Sequence, residues 1–318
     1  MTPAGPLPRF CLTTPPPTPP RRVRRARAVV KQPEPAYPGT MSRHHDDNHD
    51  DSRAADARIE VPEPIAELAR DARRVEFFTG AGMSAESGLA TFRDAQTGLW
   101  SKVDPQAMAN FDAWRNDPGK IWPWYLWRMH LARTAAPNAG HRAIAAWCAD
   151  LDRGAGWGHV TTQNIDDLHE RGGTAEGAIA HLHGSLFAFR CDHCGAAAGE
   201  PELPDEPIEH LMPPFCDACQ LGFVRPGVVW FGESLPVPEW TDAETHARHC
   251  DLMVVVGTSG VVFPAAGLPL MAVSAGIPVI EISPEDTDFT PHATYSWRTT
   301  AATGLPALAA AVGVVVGA

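Results

Sequence analysis

Two cysteine pairs constrain this chain more than any other feature. Cys191 and Cys194 form one Cys-x-x-Cys, Cys216 and Cys219 a second, and 21 residues lie between them. Two such knuckles present four thiolates to one tetrahedral Zn2+. The gap is slightly longer than the usual range, which a loop absorbs. Four thiolates close the coordination shell and leave no position for a water, so the metal is expected to be structural and not catalytic. Four buried free thiols are the plain alternative, and a redox role would need two dithiols side by side. Cys11, Cys148 and Cys250 have no partner at ligand spacing. Seven cysteines in 318 residues are too few for a disulfide scaffold. An intracellular reducing compartment, the cytoplasm by default, suits thiolate-bound zinc.

The segment around these pairs is embedded in an alternating pattern. Strand-like runs occur at Val75 to Thr79, His159 to Gln163, Val228 to Phe231, Leu252 to Val256 and Pro278 to Ile282. Helical stretches at Pro64 to Ala72, Gly140 to Asp150 and Pro264 to Ala275 flank or separate several of them. This predicts an α/β fold with a largely parallel sheet. Two stretches break the alternation, the tryptophan-rich Thr91 to Arg133 and the cysteine-bearing Cys191 to Phe223. Both read as insertions forming a smaller lobe. The division expected is a large lobe of about 58–93, 134–190 and 224–318, and a small lobe of about 94–133 and 191–223.

Residues 1–57 read as a separate leader. Eleven of the 31 prolines fall in the first 40 residues, which carry +6 and leave −18 on the rest. Such a stretch cannot build a core, and disorder is the expectation. Its arginines also suit an organellar transit peptide, which would place the protein in an organelle matrix. A start at Met41 is a third reading. His44 to Asp51 is a polar His/Asp tract, read as solvated leader before metal binding. The net charge of −12 argues against a nucleic-acid partner. Leu252 to Ile280 is free of charge and long enough to span a membrane, but its glycines and prolines fit strand, loop, helix and strand better.

Four further motifs carry chemistry. Gly80-Ala81-Gly82-Met83-Ser84-Ala85 follows a strand, where glycines let backbone approach a pyrophosphate and a helix N-terminus offers N–H donors. The next expected strand lies near His159, too far for an ordinary dehydrogenase unit. Thr162 to His169 reads Thr-Gln-Asn-Ile-Asp-Asp-Leu-His at a strand end. Gln163, Asn164 and Asp166 there can bond ribose hydroxyls or a carboxamide, and a polar turn with an N-cap is the alternative. His181-Leu182-His183-Gly184-Ser185 offers a general base or a structural histidine. Gly257-Thr258-Ser259-Gly260 is a second small-residue loop after a strand, or an ordinary tight turn.

Taken together these runs resemble the sirtuin family of NAD-dependent protein lysine deacylases. The matching segments are Gly80 to Gly88, Thr91-Phe92-Arg93, Thr162 to Asp166, His183-Gly184, the four cysteines, Arg225-Pro226, Val228 to Glu233 and Gly257-Thr258-Ser259. The resemblance covers roughly Arg58 to Leu308. It implies a Rossmann-like lobe, a small lobe holding the zinc, and NAD+ as the cofactor consumed. Nicotinamide, free lysine and O-acyl-ADP-ribose would be the products. His183 matches the general base, with Asn164 and Asp166 beside it. Gly80, Ala81, Gly82, Ser84, Glu86, Phe92, Arg93, Gln163, Gly257, Thr258, Ser259 and Ser283 match cofactor contacts. Val229, Trp230, Phe231, Gly232 and Glu233 match the segment that pairs with a substrate peptide.

Tyr125 and Arg128 look like the Tyr-x-x-Arg pair of class III sirtuins. Three residues apart on a helix, both face one way. A hydroxyl and a guanidinium can grip a distal carboxylate, which favours succinyl, malonyl or glutaryl lysine over acetyl lysine. The alternative is a Tyr and Arg on an amphipathic surface helix. The chain departs from the family pattern at Ala90, Gly227, Val261 and Ser283. Acylated-lysine proteins are the expected partners of a monomer without membrane contact. A deacetylase without acidic-acyl preference and mono-ADP-ribosyl transfer are the alternative activities. A zinc-ribbon nucleic-acid module would need basic residues, yet Cys191 to Cys219 holds seven acids and no Lys or Arg.

Overall fold

The computed structural model describes residues 29–30, 59–90 and 104–317. The strands are β1 (Val29–Val30), β2 (Arg74–Thr79), β3 (Trp157–Thr162), β4 (Ile179–His181), β5 (Gly184–Cys191), β6 (Ala197–Ala198), β7 (Val224–Val228), β8 (Leu252–Val256), β9 (Val279–Ile282) and β10 (Tyr295–Trp297). The helices are α1 (Glu63–Asp71), α2 (Pro105–Met108), α3 (Phe111–Asn116), α4 (Pro118–Thr134), α5 (Ala139–Arg153), α6 (Leu168–Arg171), α7 (Val237–His249), α8 (Gly267–Ser274) and α9 (Ala301–Ala311).

Six strands build a parallel sheet in the order β10-β9-β8-β2-β3-β4, and the two residues of β1 lie alongside β10. The α/β parallel sheet expected from the alternation is therefore present. Buried strands in such a sheet bury both faces. Phe77 and Val254 point into a core formed with α1, α5 and α9. Their neighbours Phe78, Met253 and Val255 point into a second core with α7 and α8. β5, β6 and β7 form a separate antiparallel sheet in the order β6-β5-β7. It packs with α4 around Trp114, Trp122, Trp124 and Trp230, all 1–2% exposed.

Two local expectations are corrected. The run Val228 to Phe231 was expected to be a strand of the parallel sheet. The strand instead occupies Val224–Val228 and belongs to the antiparallel sheet. The ladder ends at Val228, and the chain turns further on through Gly232 at φ +93°. The glycine loop after β2 was expected to open an α-helix. It enters two short 3-10 turns, Ala81–Met83 and Ala85–Ser87. No described helix is long and apolar enough to cross a membrane.

Glu76 on β2 and His159 on β3 sit directly opposite in the register. Both are buried beneath α7. His159 Nδ1 lies 2.8 Å from Glu76 and its Nε2 3.0 Å from Asp242, so both ring nitrogens face carboxylates. The His246 ring stacks on it at 3.7 Å. Burial disfavours the charged ring, but the two carboxylates outweigh it and raise its pKa. A pKa raised above the unfolded value of about 6.5 adds stability that is complete below that pH. That stability is lost as pH rises through the folded value. His159→Gln is expected to cost roughly 1.5–3 kcal/mol at mildly acidic pH. In thermal melts across pH, the gap to wild type should narrow on the alkaline side. A pH-independent gap would refute the charge assignment.

Candidate functional site

The C-terminal ends of β2, β3, β4, β8 and β9 converge, which is where open α/β sheets place ligands. Their loops interlock through the backbone. Gly80 N–H donates to the Val256 carbonyl at 3.0 Å, Gly82 N–H to Gly257 at 2.8 Å, and Gly257 N–H to Ile282 at 3.1 Å. A Cβ on Gly82 would lie 2.7 Å from Gly257 Cα, and one on Gly80 2.9 Å from the Gly257 carbonyl oxygen. Gly257 itself sits at φ +59°. Only chains without Cβ at these three positions can close together so tightly. Ser259 accepts from Asp288 N–H, joining this loop to the segment that follows Ser283. The Ser283 hydroxyl accepts from Glu285 N–H at 3.4 Å.

The turn after β3 carries a buried polar network. Ser84, 2% exposed, donates to Asp166 at 2.9 Å and accepts from Asn164 at 3.1 Å. Asp166 also accepts from Leu168 N–H at 3.1 Å, fixing the start of α6. Burial raises the Asp166 pKa against those hydrogen bonds. Gln163 donates to the Thr258 hydroxyl at 2.9 Å, linking this turn to the second glycine loop. Glu86 accepts from Ala302 N–H at 2.9 Å in the first turn of α9. Ala81 accepts from Ser84 N–H within its own turn. Phe92 and Arg93 lie outside the described residues.

His183 follows β4 and hydrogen-bonds through Nδ1 with the Gln163 carbonyl, at 2.9 Å. A carbonyl only accepts, so Nδ1 carries the proton and Nε2 the lone pair. Burial lowers the His183 pKa, partly opposed by that bond. A neutral imidazole with a free lone pair at neutral pH is the state a general base needs. The His183 carbonyl in turn accepts from Val229 N–H at 2.8 Å. The segment Val229 to Glu233 is braced further. Glu233 forms a bidentate pair with the buried Arg225 at 2.5 and 2.8 Å and accepts from Trp230 N–H. Phe231, 45% exposed, exchanges backbone bonds with the Ala109–Phe111 strip. Gly232 provides the turn.

On α4, Tyr125 is 3% exposed and its hydroxyl accepts from Trp230 Nε1 at 2.8 Å. Burial pushes its pKa up to about 12, so it stays a donor. The Arg128 guanidinium lies 4.8 Å over the Trp124 ring. Burial lowers its pKa, with Tyr125 and Asp166 acting the other way.

The four cysteines come together beyond the far ends of β5 and β7. Cys191 and Cys219 sulfurs are 3.6 Å apart, Cys194 and Cys216 3.8 Å. Tetrahedral Zn–S bonds of about 2.3 Å require sulfurs about 3.8 Å apart. His193 and Cys194 N–H groups point at the Cys191 sulfur at 3.3 and 3.4 Å, which favours thiolate. The residues fit a structural zinc ion.

Several supporting groups escaped the reading of the sequence. Thr79 bonds Thr162 at 2.9 Å and His169 at 3.0 Å beneath the site. Burial holds His169 well below the ordinary histidine range and His141 at about 4. His181 meets Glu170 at 2.6 Å. His169 and His181 lie within the motifs given above, whereas no motif contains Thr79, His141 or Glu170.

These features have counterparts. A model described as the Sir2 family matches residues 80–264. The NAD-dependent protein deacylase 2 of Corynebacterium efficiens is 57% identical over 248 residues, covering 78% of this chain and 96% of that protein. The NAD-dependent protein deacylase Sir2 of Mycolicibacterium smegmatis is 51% identical over 237 residues, covering 74% and 95%. A crystal structure of a Sir2 homologue–NAD complex superposes with a TM-score of 0.71 at 39% identity, over 81% of this chain and 96% of that one. A mutant Sir2 homologue with 2′-O-acetyl ADP ribose gives 0.71 at 40% identity, over 80% and 97%. With the interlocked glycine loops, the β3 turn and the four-cysteine knuckle in place, the chain belongs to the Sir2 family.

Proposed function

We propose that the chain is an NAD-dependent protein-lysine deacylase that prefers acyl groups ending in a carboxylate, succinyl, malonyl or glutaryl, over acetyl. NAD+ would be consumed, giving nicotinamide and O-acyl-ADP-ribose. The named relatives and the family of the fold support the general activity. His183 would accept a proton from a ribose hydroxyl through Nε2. Asn164, Asp166 and Ser84 would orient ribose and carboxamide, and the backbone of Val229 to Glu233 would pair with the peptide.

One observation carries the acyl preference. The Tyr125 hydroxyl already accepts from Trp230, so its own proton is directed to another acceptor. Arg128 stands one helical turn on, in a site where burial disfavours its charge. A distal carboxylate would accept the Tyr125 proton and bond the Arg128 guanidinium. Charge-assisted bonds contribute about 1.5–3 kcal/mol, roughly tenfold to a hundredfold in rate. One peptide carrying acetyl-, succinyl- or malonyl-lysine tests this, with and without NAD+. Arg128→Met is expected to lose the acidic acyl groups by that factor while deacetylation survives. Dominant deacetylation, untouched by the variant, would discard the preference and keep the chemistry.

A further inference from the structure

We propose that Glu170 and His181 form a positioning pair that holds the Asn164–Asp166 turn in the geometry NAD+ binding requires. This rests on the deacylase reading and assigns to that site two residues that touch no reactant.

β4 lies parallel to β3, with His181 opposite Thr162. His181 and His183, two residues apart, reach back to consecutive carbonyls of the β3 turn. His183 Nδ1 meets Gln163 at 2.9 Å and His181 Nδ1 meets Asn164 at 3.4 Å. Leu182 between them is fully buried the other way. The two histidines differ at their second nitrogen. His181 Nε2 lies 2.6 Å from Glu170, so both its nitrogens face acceptors and the ring is matched to the doubly protonated form. Glu170 sits on α6, which the far end of the same turn starts through Asp166. The turn is thus braced at both ends by one pair.

The second oxygen of Glu170 is buried without a hydrogen-bond partner among the described residues. Burying a charged oxygen this way is costly, and a neutral Gln would lower the cost. The charge has a use if it keeps His181 protonated. Burial disfavours that proton, but Glu170 outweighs it and the His181 pKa is raised. The other groups acting on this pair are Asp166, His169 and His141, both latter rings being neutral by burial. A raised histidine pKa extends the pH range in which the pair is intact, and the pair breaks as pH rises through the folded value.

The test is NAD+ affinity by calorimetry, alongside steady-state kinetics and melting, for wild type, Glu170→Gln and His181→Gln across pH. Glu170→Gln keeps the shape and a hydrogen bond but loses the charge. It is expected to weaken NAD+ binding and raise its KM about fivefold at mildly acidic pH, the difference between a charge-assisted and a neutral bond. Its kcat should change less. The gap should close at alkaline pH, where wild-type His181 loses its proton. Glu170→Asp should recover part of the affinity, and His181→Gln should remove the same pH dependence should Glu170→Gln fold poorly. Unchanged NAD+ affinity, an equal loss at every pH, or a fall in melting temperature alone would each overturn the inference. A wild type that binds no NAD+ overturns the deacylase reading and this inference with it.

Discussion

Replacing His183 with alanine is expected to lower deacylation by about 10²–10⁴-fold, the range a positioned general base supplies. NAD+ affinity should fall far less. The argument is geometric. Nδ1 is committed to the Gln163 carbonyl, so the lone pair on Nε2 has a fixed direction. The His183 carbonyl is tied to Val229 N–H, so His183 and the Val229–Glu233 segment are coupled through the backbone. Burial lowers its pKa, which keeps the ring neutral below the ordinary histidine range. A lowered pKa means the base is available above that value and is lost as pH falls through it. The acid limb of kcat/KM should therefore lie below about pH 6.5. Rates across pH, beside NAD+ titrations of His183→Ala, check both claims. Comparable loss of NAD+ binding and turnover would make His183 a binding residue instead.

Why was His183 legible in the sequence while its supports were not? The strands β8 and β2 announced themselves because parallel strands buried on both faces read as continuous apolar runs, Leu252 to Val256 above all. Each is followed by small residues, and that pairing located the ligand end of the sheet. β4 has three residues and β6 two, too short for any period to emerge. The 3-10 turns after Gly80 were hidden for a different reason. Gly82 serves the close approach to Gly257, a contact 175 residues away in sequence that local pattern cannot encode. The same holds for Glu170, His169 and His141. Glutamate is ordinarily a surface residue and histidine is commonly part-exposed, and only the packing of α5 and α6 under the site makes them buried groups with perturbed proton affinity. The cysteines stood out because a metal demands fixed residue types at fixed spacing whatever surrounds them.

Those cysteines carry the other large effect. Removing the zinc, by chelation or by Cys194→Ser, is expected to unfold the small lobe and abolish turnover, although four thiolates leave a bound zinc no open position for chemistry. Structural Zn2+ contributes about 10–16 kcal/mol in small domains, as much as the whole stability of an ordinary one. The knuckle has little else to hold it, for Leu211, Met212, Phe215 and Leu221 around it are all exposed. β5 begins at Gly184, next to His183, and ends at Cys191. β7 begins at Val224, near Cys219, and ends at Val228, next to Val229. An eight-residue strand spans roughly 25 Å, too far for the zinc to act on the chemistry directly. The same two strands are rigid levers between them, so a loosened knuckle frees both His183 and Val229. Metal analysis should give one zinc per wild-type chain and much less for Cys194→Ser. Chelated wild type should regain activity when zinc is returned, and the variant should not. Full activity in a zinc-free chain would show that the Trp114–Trp230 core alone holds the lobe, and that the four thiolates have another purpose.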